Sequence, residues 1–235
     1  MVTRQSLPHL RLVLVSLMAT IAGLLGAAIP ASAAEPWPDT PLVRAEALAL
    51  VQSFNADLLS HPSATLTLER WCGTHRLAGA AKITAKLDRA VDKPATPEQR
   101  KQLAVGPDEP LVYRRVKLAC GDKVLSEADN WYVPARLTPE MNRLLTETDT
   151  PFGRAVLALD FHRELLSAEL LWHPLLADWE MENQLPAPGK GLLVIPTQIL
   201  QHRAILLTRA NVPFCEVVET YTDRILAFAL PPPAS

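Results

Sequence analysis

Four short, widely separated segments hold groups that together could recognise a small aromatic acid. They span residues 58–65, 113–116, 150–154 and 213–219. The second segment contributes a guanidinium, which pairs well with a carboxylate. The first and third contain predicted helix starts, where free backbone amides favour an anion. The fourth ends on a carboxylate that could accept a hydrogen bond from a hydroxyl group.

The second segment offers two arginines, Arg114 and Arg115. Neighbouring side chains of a strand point to opposite faces, so the two arginines cannot share one site. Arg114 alternates with apolar residues, whereas Arg115 shares its face with Tyr113 and Lys117. A buried functional arginine should project from the apolar face, which favours Arg114.

The fourth segment offers two glutamates, Glu216 and Glu219. They lie three positions apart and therefore point to opposite faces of a regular strand. The face of Glu219 also carries Val217 and Tyr221, so we expect its carboxylate to be partly buried and able to donate or accept a proton. We interpret Glu216 as a solvated residue.

In this order and at roughly this spacing, the four segments resemble chorismate pyruvate-lyase. The resemblance covers about residues 58–230 and is patchy between the segments. It implies a chorismate lyase-like α+β fold, an antiparallel sheet with helices packed on one side, which the effector-sensing domains of some bacterial transcription regulators share. It also implies cofactor-free elimination of pyruvate from chorismate to give 4-hydroxybenzoate, as in ubiquinone biosynthesis.

The resemblance also implies roles for single residues. In that family an arginine near the start of a hairpin strand binds the substrate carboxylate. Face alternation selects Arg114 for this role, whereas a gapless count back from Pro134 selects Arg115, so both remain candidates. Glu219 fits the position of the family's glutamate with one extra residue after the preceding proline. It would hydrogen-bond the ring hydroxyl or serve as acid and base.

Two further family positions match Ala64 and Phe152, where the family has methionine and leucine. Both lie at or near predicted helix starts, so their backbone amides could hold a carboxylate whatever the side chain. Ala64 would open space and Phe152 would add an aromatic wall. The alternative to lyase activity is therefore a non-catalytic module that binds another small aromatic or cyclohexadiene carboxylate.

Other kinds of site lack their motifs. The six histidines show no H-x-x-x-H or comparable ligand spacing, so we predict no metal. His202 is interpreted as a satisfied structural histidine. Gly189-Lys190-Gly191 lacks the rest of a phosphate loop or dinucleotide fingerprint, so we expect no cofactor. The net charge of −2 provides no field that would recruit nucleic acid.

The first 33 residues have the pattern of an export signal. Arg4 and Arg11 precede an apolar run over residues 12–29, and Ala31-Ser32-Ala33 offers a small-x-small cleavage site. We therefore predict a signal peptide over residues 1–33, one domain over 34–235, and a periplasmic or secreted protein free of the membrane. An uncleaved anchor is the alternative, because a span needs ~20 apolar residues. We expect a monomer.

The three cysteines, Cys72, Cys120 and Cys215, are interpreted as small buried hydrophobes. In an oxidising compartment a bridge between Cys72 and Cys120 is the alternative for that pair. The odd count leaves at least one thiol free.

Capping residues and prolines indicate where helices begin, and alternation of apolar and polar residues indicates strands. Helices are predicted to begin at Thr40-Pro41, Ser63, Thr138-Pro139 and Asp149-Thr150-Pro151. Strands are predicted over residues 80–88, 111–119, 124–133, 199–209 and 214–230. Residues 157–172 suit either a helix or a strand, and we favour a strand in their second half. Several hairpins with helices collected on one side predict an α+β domain built on an antiparallel sheet.

Overall fold

The computed structural model describes residues 37–181 and 184–230. The predicted export signal, residues 1–33, lies outside the described residues. The helices are α1 (Pro41–Leu59), α2 (Ala64–Thr74), α3 (Pro97–Gln102), α4 (Pro139–Glu147) and α5 (Phe152–Ala155). The strands are β1 (Ile83–Asp88), β2 (Val112–Cys120), β3 (Lys123–Tyr132), β4 (His162–Leu170), β5 (Gln198–Leu207) and β6 (Pro213–Thr222).

The six strands form a single antiparallel sheet in the order β1-β2-β3-β6-β5-β4. Two tight hairpins build its centre. Gly121 turns between β2 and β3 with a φ of +60°, and Asn211 turns between β5 and β6 with a φ of +60°. Such left-handed backbone favours glycine or asparagine, so both turns follow from the residues present. The sheet is left with two edges, β1 and β4.

The two faces of the sheet are covered differently. The face that we call inner carries Val116 and Leu118 of β2, and it packs against α1, α2, α4 and α5 in the main hydrophobic core. The opposite, outer face is covered at one end by the short α3. The predicted class, α+β with an antiparallel sheet and helices packed on one side, is confirmed, with α3 as the exception.

Three of the predicted helix caps form as expected. The side chains of Thr40, Ser63 and Thr138 accept hydrogen bonds from first-turn amides of α1, α2 and α4. The fourth start is different, because α5 has Pro151 at its N-cap position and makes no side-chain cap bond. The amides of α5 are therefore not satisfied by a capping side chain.

The cysteines correct one sequence interpretation. Cys72 of α2 and Cys120 at the end of β2 form a disulfide across a sequence separation of 48 residues. Cys215 is free and buried, as interpreted. The first two are buried as interpreted, but they form the bridge that was the alternative rather than remaining free thiols, and this bridge fastens α2 to the inner face of the sheet.

The last strand is shorter than predicted. It ends at Thr222 because the hydroxyl of Thr222 accepts a hydrogen bond from the amide of Arg224 and caps a short 3-10 helix, Asp223–Leu226. Within the described part of the chain, no helix has both the length and the hydropathy to cross a bilayer.

Candidate binding site

Three of the predicted site residues meet around one small cavity. Ala64 at the start of α2, Phe152 at the start of α5 and Glu219 of β6 all line it. Its floor is the inner face of the sheet, where β2 and β3 contribute Val116 and Asn130. All three predicted residues are buried, with at most 6% of their surface exposed.

Glu219 is paired with an arginine that the sequence analysis did not single out. The NH2 nitrogen of Arg163, on β4, lies 2.8 Å from Oε2 of Glu219. The two side chains are only 10% and 8% exposed, so the contact is a buried ion pair. Burial opposes the charge of Arg163, but Glu219 and Tyr221 outweigh it and raise the pKa of Arg163 above its ordinary value.

Two further inner-face residues hold this ion pair in place. The hydroxyl of Tyr221 donates to Oε2 of Glu219 at 3.1 Å. Burial first, and then the nearby Glu219, raise the pKa of Tyr221 well above its ordinary value, so the hydroxyl keeps its proton. His202 lies directly opposite Glu219 on β5. The Glu219 carboxylate therefore sits in a polar cluster inside the core.

His202 is satisfied, as interpreted from the sequence. Its Nε2 lies 2.7 Å from Oδ1 of Asn55, and since an amide oxygen accepts, Nε2 carries the proton. Burial lowers the pKa of His202 to about 4, with Arg163 acting in the same direction and Glu219 against it. The imidazole is therefore neutral at pH 7.

The two helix starts approach each other closely at the cavity mouth. A side chain at Gly153 would bring its Cβ within 3.2 Å of the Ser63 hydroxyl oxygen, so this glycine allows α5 to lie against α2. The amides of Ala64 and Thr65 belong to the first turn of α2 and have no intrahelical acceptor. Residues with free backbone donors and the carboxylate of Glu219 therefore line the same cavity.

Phe152 is both a wall of the cavity and a core residue. Its ring meets Tyr132 edge-on at 5.6 Å and stacks at 6.5 Å on Phe214. These aromatic contacts fix the position of α5, which is too short to be stable on its own. The predicted aromatic wall is present, and it belongs to a larger aromatic cluster.

Arg114 lies on the inner face, as strand alternation predicted, but it does not line this cavity. Its Nε donates to the Leu145 carbonyl at 3.0 Å and its NH2 donates to the Thr150 carbonyl at 2.7 Å. No carboxylate of the described residues lies within ion-pair distance, and burial lowers the pKa of Arg114 to about 10. Arg114 therefore braces α4 and α5 against β2.

Arg114 and Glu219 are well separated on the sheet. Arg114 pairs with Asn130 and Asn130 with Val217, so Glu219 lies two strands away and one pleat along. With a strand spacing of about 4.8 Å and a rise of about 3.4 Å per residue, their Cα atoms are about 12 Å apart. The arginine that lies beside Glu219 is Arg163 of β4, which the sequence analysis did not name.

Arg115 lies on the outer face and is no part of the cavity. It forms ion pairs with Glu127 at 2.8 Å and with Asp129 at 3.1 Å. Tyr113 donates to the same Asp129, so the two neighbours on the outer face of β2 share one carboxylate. The gapless count that selected Arg115 as a site residue is therefore not supported by its position.

Glu216 corrects a second interpretation. It was expected to be solvated, yet its surface is 0% exposed. Its Oε1 accepts hydrogen bonds from Gln99 at 3.2 Å and from Arg203 at 2.8 Å. Helix α3 covers this part of the outer face and converts an outward-pointing glutamate into a buried one.

The cavity is small in the conformation observed. Its volume is about 30 Å³, which is enough for one or two water molecules, whereas a dry cavity that accepts benzene measures about 150 Å³. A ring-sized ligand would therefore require α5 or the start of α2 to move outward.

Residues 37–181 and 184–230 contain no group of three or more histidines, cysteines, aspartates or glutamates that could hold a metal ion. The chemistry of the cavity rests on an arginine, a glutamate, a tyrosine hydroxyl and free amides. Such a set can bind an anion and a hydroxyl group together.

No family model matches this chain. Three solved structures with similar folds are bacterial proteins. The effector domain of PhnF from Mycobacterium smegmatis is 12% identical, with 69% of this chain and 89% of that chain covered and a TM-score of 0.43. PhnF from the same organism is 11% identical, with coverages of 74% and 70% and a TM-score of 0.44. YydK from Bacillus subtilis, described as a possible transcriptional regulator, is 18% identical, with coverages of 65% and 63% and a TM-score of 0.37.

These structural similarities are too distant to transfer a ligand or an activity. A much nearer relative is the uncharacterised protein y4mC of Sinorhizobium fredii (strain NBRC 101917 / NGR234). It is 55% identical over 201 residues, which cover 85% of each chain. The chain described here belongs to the same protein family as y4mC.

Proposed function

We propose that this protein binds a small hydroxylated aromatic carboxylate in the cavity between α2, α5 and the inner face of the sheet. The observation that carries the proposal is the buried Arg163–Glu219 pair, which lies at the cavity together with the free first-turn amides of α2. A buried charge pair is seldom the most stable way to fill a core, so its presence at a cavity favours a role in recognition.

In this proposal the two ends of the ligand are recognised by opposite ends of the cavity. The ligand carboxylate accepts hydrogen bonds from the amides of Ala64 and Thr65. Its hydroxyl group donates to the carboxylate of Glu219, which Arg163 holds in place through the ion pair. The ring lies against Phe152, and α5 moves outward to admit it.

Pyruvate elimination from chorismate is the finer candidate function. It is favoured by the position of Ala64, Phe152 and Glu219 around one cavity, in the arrangement that the resemblance to chorismate lyases implies. In that reaction Arg163 would hold a substrate carboxylate, while Arg114 would brace the helices around the cavity. Binding without turnover remains the function that the geometry supports best, because Arg114 is tied to two backbone carbonyls.

We also propose that the mature protein is exported. The Cys72–Cys120 disulfide supports this proposal, because such bonds persist in oxidising compartments outside the cytoplasm. Chorismate is made in the cytoplasm, so an exported protein would meet other aromatic acids. Fractionation of cells that express the full chain, with N-terminal sequencing of the product, tests both the location and the cleavage after residue 33.

The binding proposal is tested by titrating the purified protein with 4-hydroxybenzoate in a calorimeter. An Ala64→Leu variant fills the cavity and should abolish binding, whereas Ala90→Leu, at an exposed position, should leave it unchanged. Thermal unfolding of both variants verifies that they are folded. Absence of heat for 4-hydroxybenzoate and related hydroxylated carboxylates, or equal binding by the Ala64 variant, would refute the proposal.

The same protein should be incubated with chorismate while the release of 4-hydroxybenzoate is followed by its absorbance. Binding without product supports the binding module. Product that disappears in Ala64→Leu and persists in Ala90→Leu supports the lyase. Neither result depends on which compartment the protein occupies.

A further inference from the structure

Strand β4 is an edge strand whose side chains are left largely open. Its neighbour is β5, and no other described strand pairs with its free edge. Leu165 is 45% exposed and Leu166 is 37% exposed. Natural proteins usually protect an edge with charges, proline or a covering segment, because open backbone groups invite pairing with another chain.

The opposite edge, β1, is protected in the usual way. It is only six residues long, Lys82 directly precedes it, and Lys86 lies within it. The carboxylate of Glu69 accepts a hydrogen bond from the amide of Ile83, which further occupies this edge. Strand β4 differs from β1 because it is nine residues long and has two exposed leucines at its middle, which suits it better to pairing with a partner.

A bulge interrupts β4 at two adjacent leucines. The register with β5 shifts between Leu165 and Ser167, which leaves Leu166 as the extra residue. Leu165 lies opposite Ala204 on the inner face, whereas Ser167 lies opposite Arg203 on the outer face. Leu165 lies on the inner side, and Leu166 at the bulge is its immediate neighbour, so the two leucines form an exposed apolar pair at the middle of the edge.

The sequence of β4 is complementary to itself in one antiparallel register. The bulge reverses the alternation of faces along β4, so Arg163 before it and Ala168 after it both lie on the inner side. When Leu165 of one copy lies opposite Leu166 of the other, Arg163 of each copy lies opposite Ala168 of its partner, and inner residues meet inner residues. The same register places Glu164 opposite Ser167 and His162 opposite Glu169. The leucines then bury each other at the centre, and each glutamate meets a hydrogen-bond donor rather than another carboxylate.

We propose that two copies of this chain pair through their β4 edges into a two-fold symmetric dimer. The two six-stranded sheets join into one continuous sheet, and the four leucines at the centre form its apolar contact. Two-fold pairing uses the free edge of both copies and is self-limiting, so it yields a dimer rather than a fibre. This dimer replaces the monomer expected from the sequence, and it is independent of the ligand proposal.

The first test measures the molecular mass of the protein purified from cells that express the full chain, by sedimentation over a range of concentrations. We expect a dimer. Leu166→Glu places two like charges beside the two-fold axis and should weaken dimerisation by about a hundredfold or more. Leu42→Glu is the matched control, because Leu42 is 62% exposed on α1, away from β4, and should leave the dimer intact.

A monomer at every concentration would overturn the proposal, as would a dimer that survives Leu166→Glu or dissociates equally in Leu42→Glu.

The second test examines the register. The double variant Glu164→Cys, Ser167→Cys places two thiols opposite each other across the two-fold axis and should form a covalent dimer under mild oxidation. The double variant Glu164→Cys, Glu169→Cys places them two residues out of register and should cross-link poorly. The reverse outcome, or cross-linking of neither variant, would exclude this pairing.

Discussion

Two arginine–glutamate pairs on opposite faces of one sheet have the same length but different surroundings. Arg163 and Glu219 on the inner face lie 2.8 Å apart, as do Arg115 and Glu127 on the outer face. The inner side chains are 10% and 8% exposed, and the outer ones are 21% and 24% exposed. The distance between the charged atoms therefore does not tell which ion pair matters more for stability.

The difference lies in what remains when one partner is lost. On the outer face Arg115 keeps Asp129 and Asp88, and water reaches all of these groups. On the inner face the carboxylate of Glu219 is the ion-pair partner of Arg163 among the described residues. An uncompensated charge in the core is costly, whereas an exposed one is screened.

The largest effect is expected from Glu219→Gln. It removes the charge that compensates Arg163 while keeping the size of the side chain, so the free energy of unfolding should fall by about 3–5 kcal/mol. Urea unfolding followed by circular dichroism measures this change.

The double variant Arg163→Met, Glu219→Gln tests the cause of that loss. Removing both charges should restore a large part of the stability, because no unpaired charge is left in the core. If the double variant lost more free energy of unfolding than the losses of the two single variants added together, the effect could not be assigned to an unpaired arginine.

The disulfide should have the next largest effect, since it fastens α2, whose first turn lines the cavity, to the inner face. The double variant Cys72→Ser, Cys120→Ser opens a loop with a sequence separation of 48 residues. Chain-entropy arguments give a loss of about 2–4 kcal/mol. Reduction of the wild-type protein should lower the thermal midpoint in the same way, and an unchanged midpoint would show that the bridge is not needed to hold α2.

The inner face should also make stability depend on pH through His202. The unfolded chain takes up a proton near pH 6.5, whereas folded His202 stays neutral until about pH 4. Stability is therefore fully present above pH 6.5 and falls as the pH drops through this window, by about 2–3 kcal/mol between the two limits.

The matched variant is His202→Gln, whose amide nitrogen can still donate to Asn55 but which does not titrate. Its free energy of unfolding, measured from pH 7 to pH 4, should fall less steeply than that of the wild type by about this amount. Parallel curves would mean that carboxylates, rather than His202, dominate acid unfolding.

Local signals in the sequence were sufficient for the helices and hairpins. A threonine or serine before a proline-led or apolar segment caps a helix by contacts within three residues, so Thr40, Ser63 and Thr138 could be assigned without tertiary information. Strand alternation likewise placed Glu219 and Arg114 on the buried face. What alternation could not provide was their distance, which depends on strand order.

The residues that were missed depend on long-range structure. Residues 157–172 suited a helix or a strand, and the bulge at Leu166 reverses the alternation, so the face of Arg163 could not be inferred from its spacing. The burial of Glu216 depends on α3, which is 117 residues away in sequence at Gln99. A hydrophobic pattern around a single strand contains neither piece of information.

The smallest effect is expected from Glu127→Gln, the outer-face equivalent of Glu219→Gln. Glu127 pairs with Arg115 and with Lys117, both of which remain solvated or paired when it is neutralised. The free energy of unfolding should change by less than about 1 kcal/mol, and the change should shrink further in high salt. The chemical substitution is the same in both variants, and the two glutamates lie on neighbouring strands, β3 and β6. The ratio of the two losses of unfolding free energy therefore isolates the contribution of burial. If Glu127→Gln were as destabilising as Glu219→Gln, burial would not distinguish the two ion pairs. The burial of the Arg163–Glu219 pair would then no longer support a role in recognition at the cavity.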